Sequence, residues 1–182
     1  TSGNIAYELC RPADLYNLWY AKLIAQRLSG AALRCFPIII VASLLPYPYN
    51  FSLPPSFTSF ILFLITLTLG LILIVAISML IYISIFYTMS PTGSLLIMGT
   101  FGEFFSGLII PVPLMPDGLK RLVYLLPFRY SSDLPFRIYA GNIGIKEAVL
   151  SIGVQILWII LLITLGKLWM KKALRRVIIQ GG

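Results

Sequence analysis

Apolar and polar positions are distributed very unevenly along this chain. From Cys35 to Gly102 no side chain carries a formal charge. A water-exposed domain has to solvate its surface, whereas a bilayer removes that demand and is crossed by about 20 apolar residues in a helix. The pattern predicts an all-α polytopic membrane protein with about four transmembrane helices, at 33–46, 57–87, 94–110 and 148–168. The first is short. Pro37 falls in its opening turns, where a missing N–H costs least, and the span is expected to borrow residues from the helix before it. The second is the cleanest, and at about 1.5 Å per residue it exceeds a bilayer, so it tilts or projects. Pro91 then disfavours helical geometry at Ser90.

The flanking segments read differently. In 1–32, Tyr16, Tyr20, Leu23, Ile24 and Leu28 fall roughly on one helical face, with Pro12 and Asp14 near the helix start. That predicts a cytoplasmic interfacial helix, with Trp19 and Tyr20 at headgroup depth. Residues 111–147 are apolar yet broken by prolines at 111, 113, 116, 127 and 135, too dense for a straight span. A solvated loop would not need Leu122, Val123, Leu125, Leu126 and Phe128. A re-entrant helical hairpin on the external side, its backbone covered by protein or water, fits better. Residues 169–182 form a basic cytoplasmic tail, and 1–182 make one membrane domain.

Composition agrees with that reading. Of 182 residues, 59% are hydrophobic and 11% charged, against about 25% charged in soluble domains. The net charge is +8 and there is no histidine. In a soluble chain that balance would suggest nucleic acid. Here the cations border the spans, so membrane lipid and the positive-inside rule account for them, and no nucleic acid partner is expected. Arg11, Lys22, Arg27 and Arg34 precede the first span, and Lys167, Lys171, Lys172, Arg175 and Arg176 end the last. Both tails therefore read as cytoplasmic in a multi-pass protein of the cell membrane. Cys10 and Cys35 make no disulfide framework.

Little in the sequence favours bond-breaking chemistry. "GNIGIKEA" and "GTFGEFF" do not supply the G-x-x-x-x-G-K-[ST] loop that surrounds phosphates, so ATP and Mg would be bound by another subunit and no cofactor by this chain. No histidine, nucleophile elbow or metal-ligand spacing is present; catalytic and metal residues are expected to be none. Glu103 is the one acid within an apolar span. Its possible roles are packing, a pathway or gating group, or proton relay, since ionisable groups at membrane depth are costly. Gly99, Gly102, Ser106 and Gly107 place small residues on the same span, where helices can approach closely. An intramembrane lipid-modifying enzyme is the alternative class. It would have to use Glu103 together with Asp117, Arg121, Arg129 and Asp133. A non-catalytic membrane assembly subunit is a third reading.

Two stretches resemble a known family. "GNIAYELCRPADLY" is similar to the cytoplasmic segment of ABC-2 type permeases, and "FFSGLIIPVPLMPDGLKRLVYLLPFRYSSDLPFRIYAGN" resembles the segment before their last helix. The resemblance covers nearly the whole chain, and the order of spans matches the later four of six. On that order, the resemblance implies about two further N-terminal helices ahead of Thr1. The resemblance implies the transmembrane subunit of an ATP-binding cassette exporter. Such a subunit pairs with a second permease, homo- or heterodimeric, and with a nucleotide-binding ATPase subunit. It further implies that Glu8, Arg11 and Pro12 contact the ATPase. Ser106, Gly107, Pro111, Pro113, Pro116, Pro127 and Phe128 would form an external re-entrant gate, with an amphiphilic cargo carried past it.

Overall fold

The computed structural model describes residues 14–46, 53–87 and 91–175, and all regular structure among them is helical. Helix α1 runs Leu15–Leu44, α2 Phe57–Ser84 with a 3₁₀ turn Ile85–Tyr87, and α3 Pro91–Phe105. Two short helices follow, α4 Asp117–Leu125 and α5 Asp133–Tyr139, and then the long α6 Ile145–Leu174. The helices α1, α2 with its 3₁₀ turn, and α6 are each long and apolar enough to cross a membrane.

Local chemistry sets the starts. Asp14 caps α1, its carboxylate accepting from Tyr16 N at 2.9 Å, and Ser56 caps α2 by accepting from Thr58 N at 3.2 Å. The separate interfacial helix expected before residue 33 is not separate: 15–44 is one 30-residue helix with Pro37 deep inside it. Gly30 is the main break signal, but a helical glycine costs only about 1 kcal/mol relative to alanine, less than leaving backbone groups unpaired in an apolar medium.

The third apolar stretch also differs from its expected bounds. Its helix stops at Phe105, 15 residues and about 22 Å long, short of a roughly 30 Å hydrocarbon core. Gly107 ends it at φ +84°, with Gly107 N donating to Phe104 O and Leu108 N to Glu103 O. That pair of bonds is a Schellman motif, which only a residue tolerant of left-handed geometry closes cheaply. Residues 106–110, expected to be helical, are turn.

The core lies between α2 and α6. Leu73, Ala76 and Ile77 of α2 meet Ile159 and Leu162 of α6 around Tyr130, Leu134 and Ile138. At one end, Leu15 and Tyr16 of α1 pack against Met79 and Ile83 of α2 and Met170 and Ala173 of α6. Residue 14 and the end of α6 are therefore at the same end of the molecule. The start of α1 thus packs against the ends of both of its neighbours.

A folded-back segment and the cavity beside it

The break between α3 and α6 is lodged half-way along the long helices. Gln155, fully buried on α6, donates from Nε2 to Thr66 O of α2 and to Tyr130 O, both at 3.0 Å. One carboxamide thus ties two helices to a 3₁₀ turn, Phe128–Tyr130, by supplying a donor to its last carbonyl. Gly70 makes the fit possible, since a Cβ there would stand 2.8 Å from Ser131 O. At the other side, Asp133 N donates to Ser106 O at 3.2 Å, joining the start of α5 to the end of α3.

A charged cluster underlies this segment. Arg129 is 5% exposed and lies over the Tyr124 ring at 3.8 Å and near that of Tyr130 at 4.8 Å. Its Nε and Nη1 have no hydrogen-bond partner among the described residues, so the aromatic faces are its main support. Arg137 Nη1 sits 3.9 Å from Asp133 Oδ2 and donates to Tyr124 Oη at 3.1 Å. The cluster links α4, the 3₁₀ turn and α5 into one unit.

The expected gate residues divide into two groups. Ser106 (2% exposed), Gly107, Pro127 and Phe128 come together inside: Phe105 and Phe128 rings lie 6.0 Å apart, and a Cβ on Gly107 would approach Val112 and Asp133 at 3.1 and 3.3 Å. Pro111, Pro113 and Pro116 instead lie exposed around the 3₁₀ turn Val112–Leu114. Glu8, Arg11 and Pro12 lie outside the described residues.

Beside the folded-back segment is a cavity of about 620 Å³, walled by α1, α2, α3 and residues 131–136. Glu103 opens onto it from α3 and Arg27 from α1. Arg27 Nη2 donates to Ser78 Oγ of α2 at 2.8 Å. A second, almost wholly apolar cavity of about 500 Å³ shares Ile77, Ile81 and Met98 with it and reaches Pro127, Phe128 and Trp169. Among the described residues, no group of three His, Cys, Asp or Glu side chains could hold a metal ion.

Arg27, Ser78, Gly70 and Gln155 were not singled out as site residues in the sequence. Gln155 left a signal, as the one carboxamide in the apolar run 148–166. Arg27 reads as one of several membrane-border cations, and its partner lies 51 residues away.

Long apolar helices and a broken segment held from within define an all-α membrane protein, with a cavity of sparse polar groups beside that segment. The family model described as ABC-2 family transporter protein matches residues 1–181, and the chain belongs to that family: it is a permease component of an ABC transporter. Membership implies association with an ATP-binding subunit. Among curated proteins and among solved structures, none matches the chain.

Proposed function

We propose that this permease subunit works in an exporter, moving an amphiphilic substrate outward across the cell membrane while a separate subunit binds Mg and ATP and hydrolyses it. The observation that carries the reading is the 620 Å³ cavity, mostly apolar but holding Arg27 and Glu103, directly against the folded-back segment. An unpaired charge at the bilayer centre costs about 3 kcal/mol on insertion scales, so polar groups there favour a pathway over simple anchoring. The end that carries residue 14 and the basic end of α6 faces the cytosol. There Glu8, Arg11 and Pro12 meet the ATPase subunit. Ser106, Gly107, Pro127 and Phe128 close the opposite side, with Pro111, Pro113 and Pro116 shaping the external turn. A second permease, the same chain or a different one, completes the pathway. ATP binding would bias the equilibrium between inward- and outward-facing states.

The test is reconstitution. Inside-out vesicles carrying the chain and its ATP-binding subunit should accumulate a fluorescent amphiphile only with Mg and ATP. Arg11→Glu should abolish co-purification of the two subunits while leaving membrane insertion intact. ATP hydrolysis by the chain alone, undiminished after contaminating ATPases are removed, would overturn the proposal. So would labelling that puts the two tails on opposite faces.

A further inference from the structure

The wall of the 620 Å³ cavity contains one cation and one anion among 22 lining residues. Arg27 stands on α1 and Glu103 on α3, and both line the same space. The Arg27 guanidinium is held by Ser78, itself only 7% exposed and anchored to Ile74 O at 2.8 Å. One fork of the guanidinium is therefore fixed and the other donors remain free, a geometry suited to an oxyanion. Glu103 is exposed within the cavity, and its carboxylate has no hydrogen-bond or ion-pair partner among the described residues. The rest of the wall is mostly apolar; its other polar groups are the Cys35 thiol, the Tyr82 and Ser132 hydroxyls, and hydroxyls bonded to nearby backbone, as Thr68 is to Leu64 O and Ser106 to Glu103 O.

Two opposite charges line one mostly apolar space, with no ion pair between them among the described residues. A ligand with a single charge would leave one of them unmet, and a neutral ligand would leave both. We infer that this cavity binds a zwitterionic amphiphile, with its anionic centre on Arg27, its cationic centre against Glu103 and its apolar chain along Leu28, Ala31, Leu67 and Leu71. The volume lies within the range, roughly 300–1,000 Å³, in which pockets enclose a small organic ligand. Gly99 on the α3 wall, with nothing within 4 Å of where a Cβ would stand, leaves room near Glu103 for a bulky ammonium group. The inference rests on the pathway reading for its biological meaning, but the binding site stands apart from transport.

Cys35 lines the same cavity and is a free, exposed thiol, which provides the readout. The full chain, with Cys10→Ser, is held in a non-ionic detergent, and the rate at which an uncharged maleimide labels Cys35 is measured. Three probes with the same chain length are titrated: dodecylphosphocholine, dodecyl phosphate and dodecyltrimethylammonium. The zwitterion should protect Cys35 at a concentration at least tenfold below either singly charged probe. Arg27→Gln should weaken protection by dodecyl phosphate about tenfold and leave the ammonium unaffected, and Glu103→Gln should do the reverse. A control chain carrying Ser43→Cys and Cys35→Ser, whose thiol lies on α1 beyond the cavity, should show no such discrimination.

Equal protection by the three probes in the unsubstituted cavity would overturn the inference without reliance on any variant. Discrimination at position 43 of the control chain equal to that at Cys35 would do the same. Adding the ATP-binding subunit with Mg and ATP separates two sources of this headgroup chemistry. Protection that falls on ATP addition marks a transported amphiphile, and protection that persists marks a resident membrane lipid; both require the site. Failure of vesicle transport with protection intact removes the exporter reading and leaves the binding site standing.

Discussion

Helices α1 and α6 have the same length, 30 residues, yet they are held in the molecule in opposite ways. None of the most apolar 18-residue stretch of α1 is buried, whereas 28% of that of α6 and 33% of that of α2 is. From Leu28 to Leu45 the large side chains of α1 stand open, Leu33 at 77% and Leu44 at 79% exposure. The helix α1 is fastened mainly at its start, where Tyr16 lies against Gly166 and Tyr20 Oη donates to Ile72 O at 2.6 Å. By contrast α6 carries Gln155, Ile159 and Leu162 into the core throughout its length. Apolarity alone does not distinguish a helix that packs from one that faces lipid or another subunit. Small residues and single polar groups do, because in a bilayer close approach and hydrogen bonding replace the hydrophobic drive.

The sharpest way to break the packed half is at Gly70. A side chain there meets backbone, Ser131 O at 2.8 Å and Tyr130 O at 3.3 Å, not a movable side-chain tip. Gly70→Val should destabilise the chain by about 3 kcal/mol or more. The thermal unfolding midpoint in detergent should fall sharply, with protease cleavage opening in 128–139. An unchanged midpoint would mean that the folded-back segment does not sit against α2. Gln155→Leu comes next. It leaves the buried Tyr130 and Thr66 carbonyls without their side-chain donor, a loss of about 2 kcal/mol. The same melt measures it, and a loss below about 0.5 kcal/mol would show that water or backbone replaces the amide.

Much of this half was legible. The second apolar run has the helix bounds that the sequence leads one to expect, Phe57–Tyr87: no proline interrupts it until Pro91, and the helix continues through Gly70. The proline density of 111–147 correctly excludes a straight helix, and short helices α4 and α5 take its place. Two boundaries were not read. Gly107 is a helix stop that the apolar run 108–110 conceals, and Gly30 is a break signal that the helix overrides. On the site, Glu103 is conspicuous as a lone acid, but its sharing a cavity wall with Arg27 is not. That juxtaposition depends on how α1 leans on α2 and on where α3 is placed, and residue spacing carries no information about it.

The loosely held half is tested by smaller changes. Tyr20→Phe removes the hydroxyl that fastens α1 to α2, and because Ile72 O lies within a helix, the loss should be only about 1 kcal/mol. Its clearer sign should be faster maleimide labelling of Cys35 as α1 swings away from the cavity. An unaltered rate would mean that the contacts of Leu15 and Tyr16 hold α1 without it.

Gly30→Ala is the mildest change and has the opposite sign. Nothing lies within 4 Å of a Cβ at Gly30, so the substitution meets no neighbour in the folded chain. Alanine gains on glycine through helix propensity, by at most about 1 kcal/mol in a helix interior. The unfolding midpoint should therefore stay level or rise slightly, although Gly30 lies in a helix that, like α2, is long and apolar enough to cross a membrane. The same replacement at Gly70 should lower it. A fall at Gly30 comparable to that at Gly70 would place a close-packed neighbour on this face of α1, and the contrast between the two helices would then lie in which partner covers each, not in whether one does.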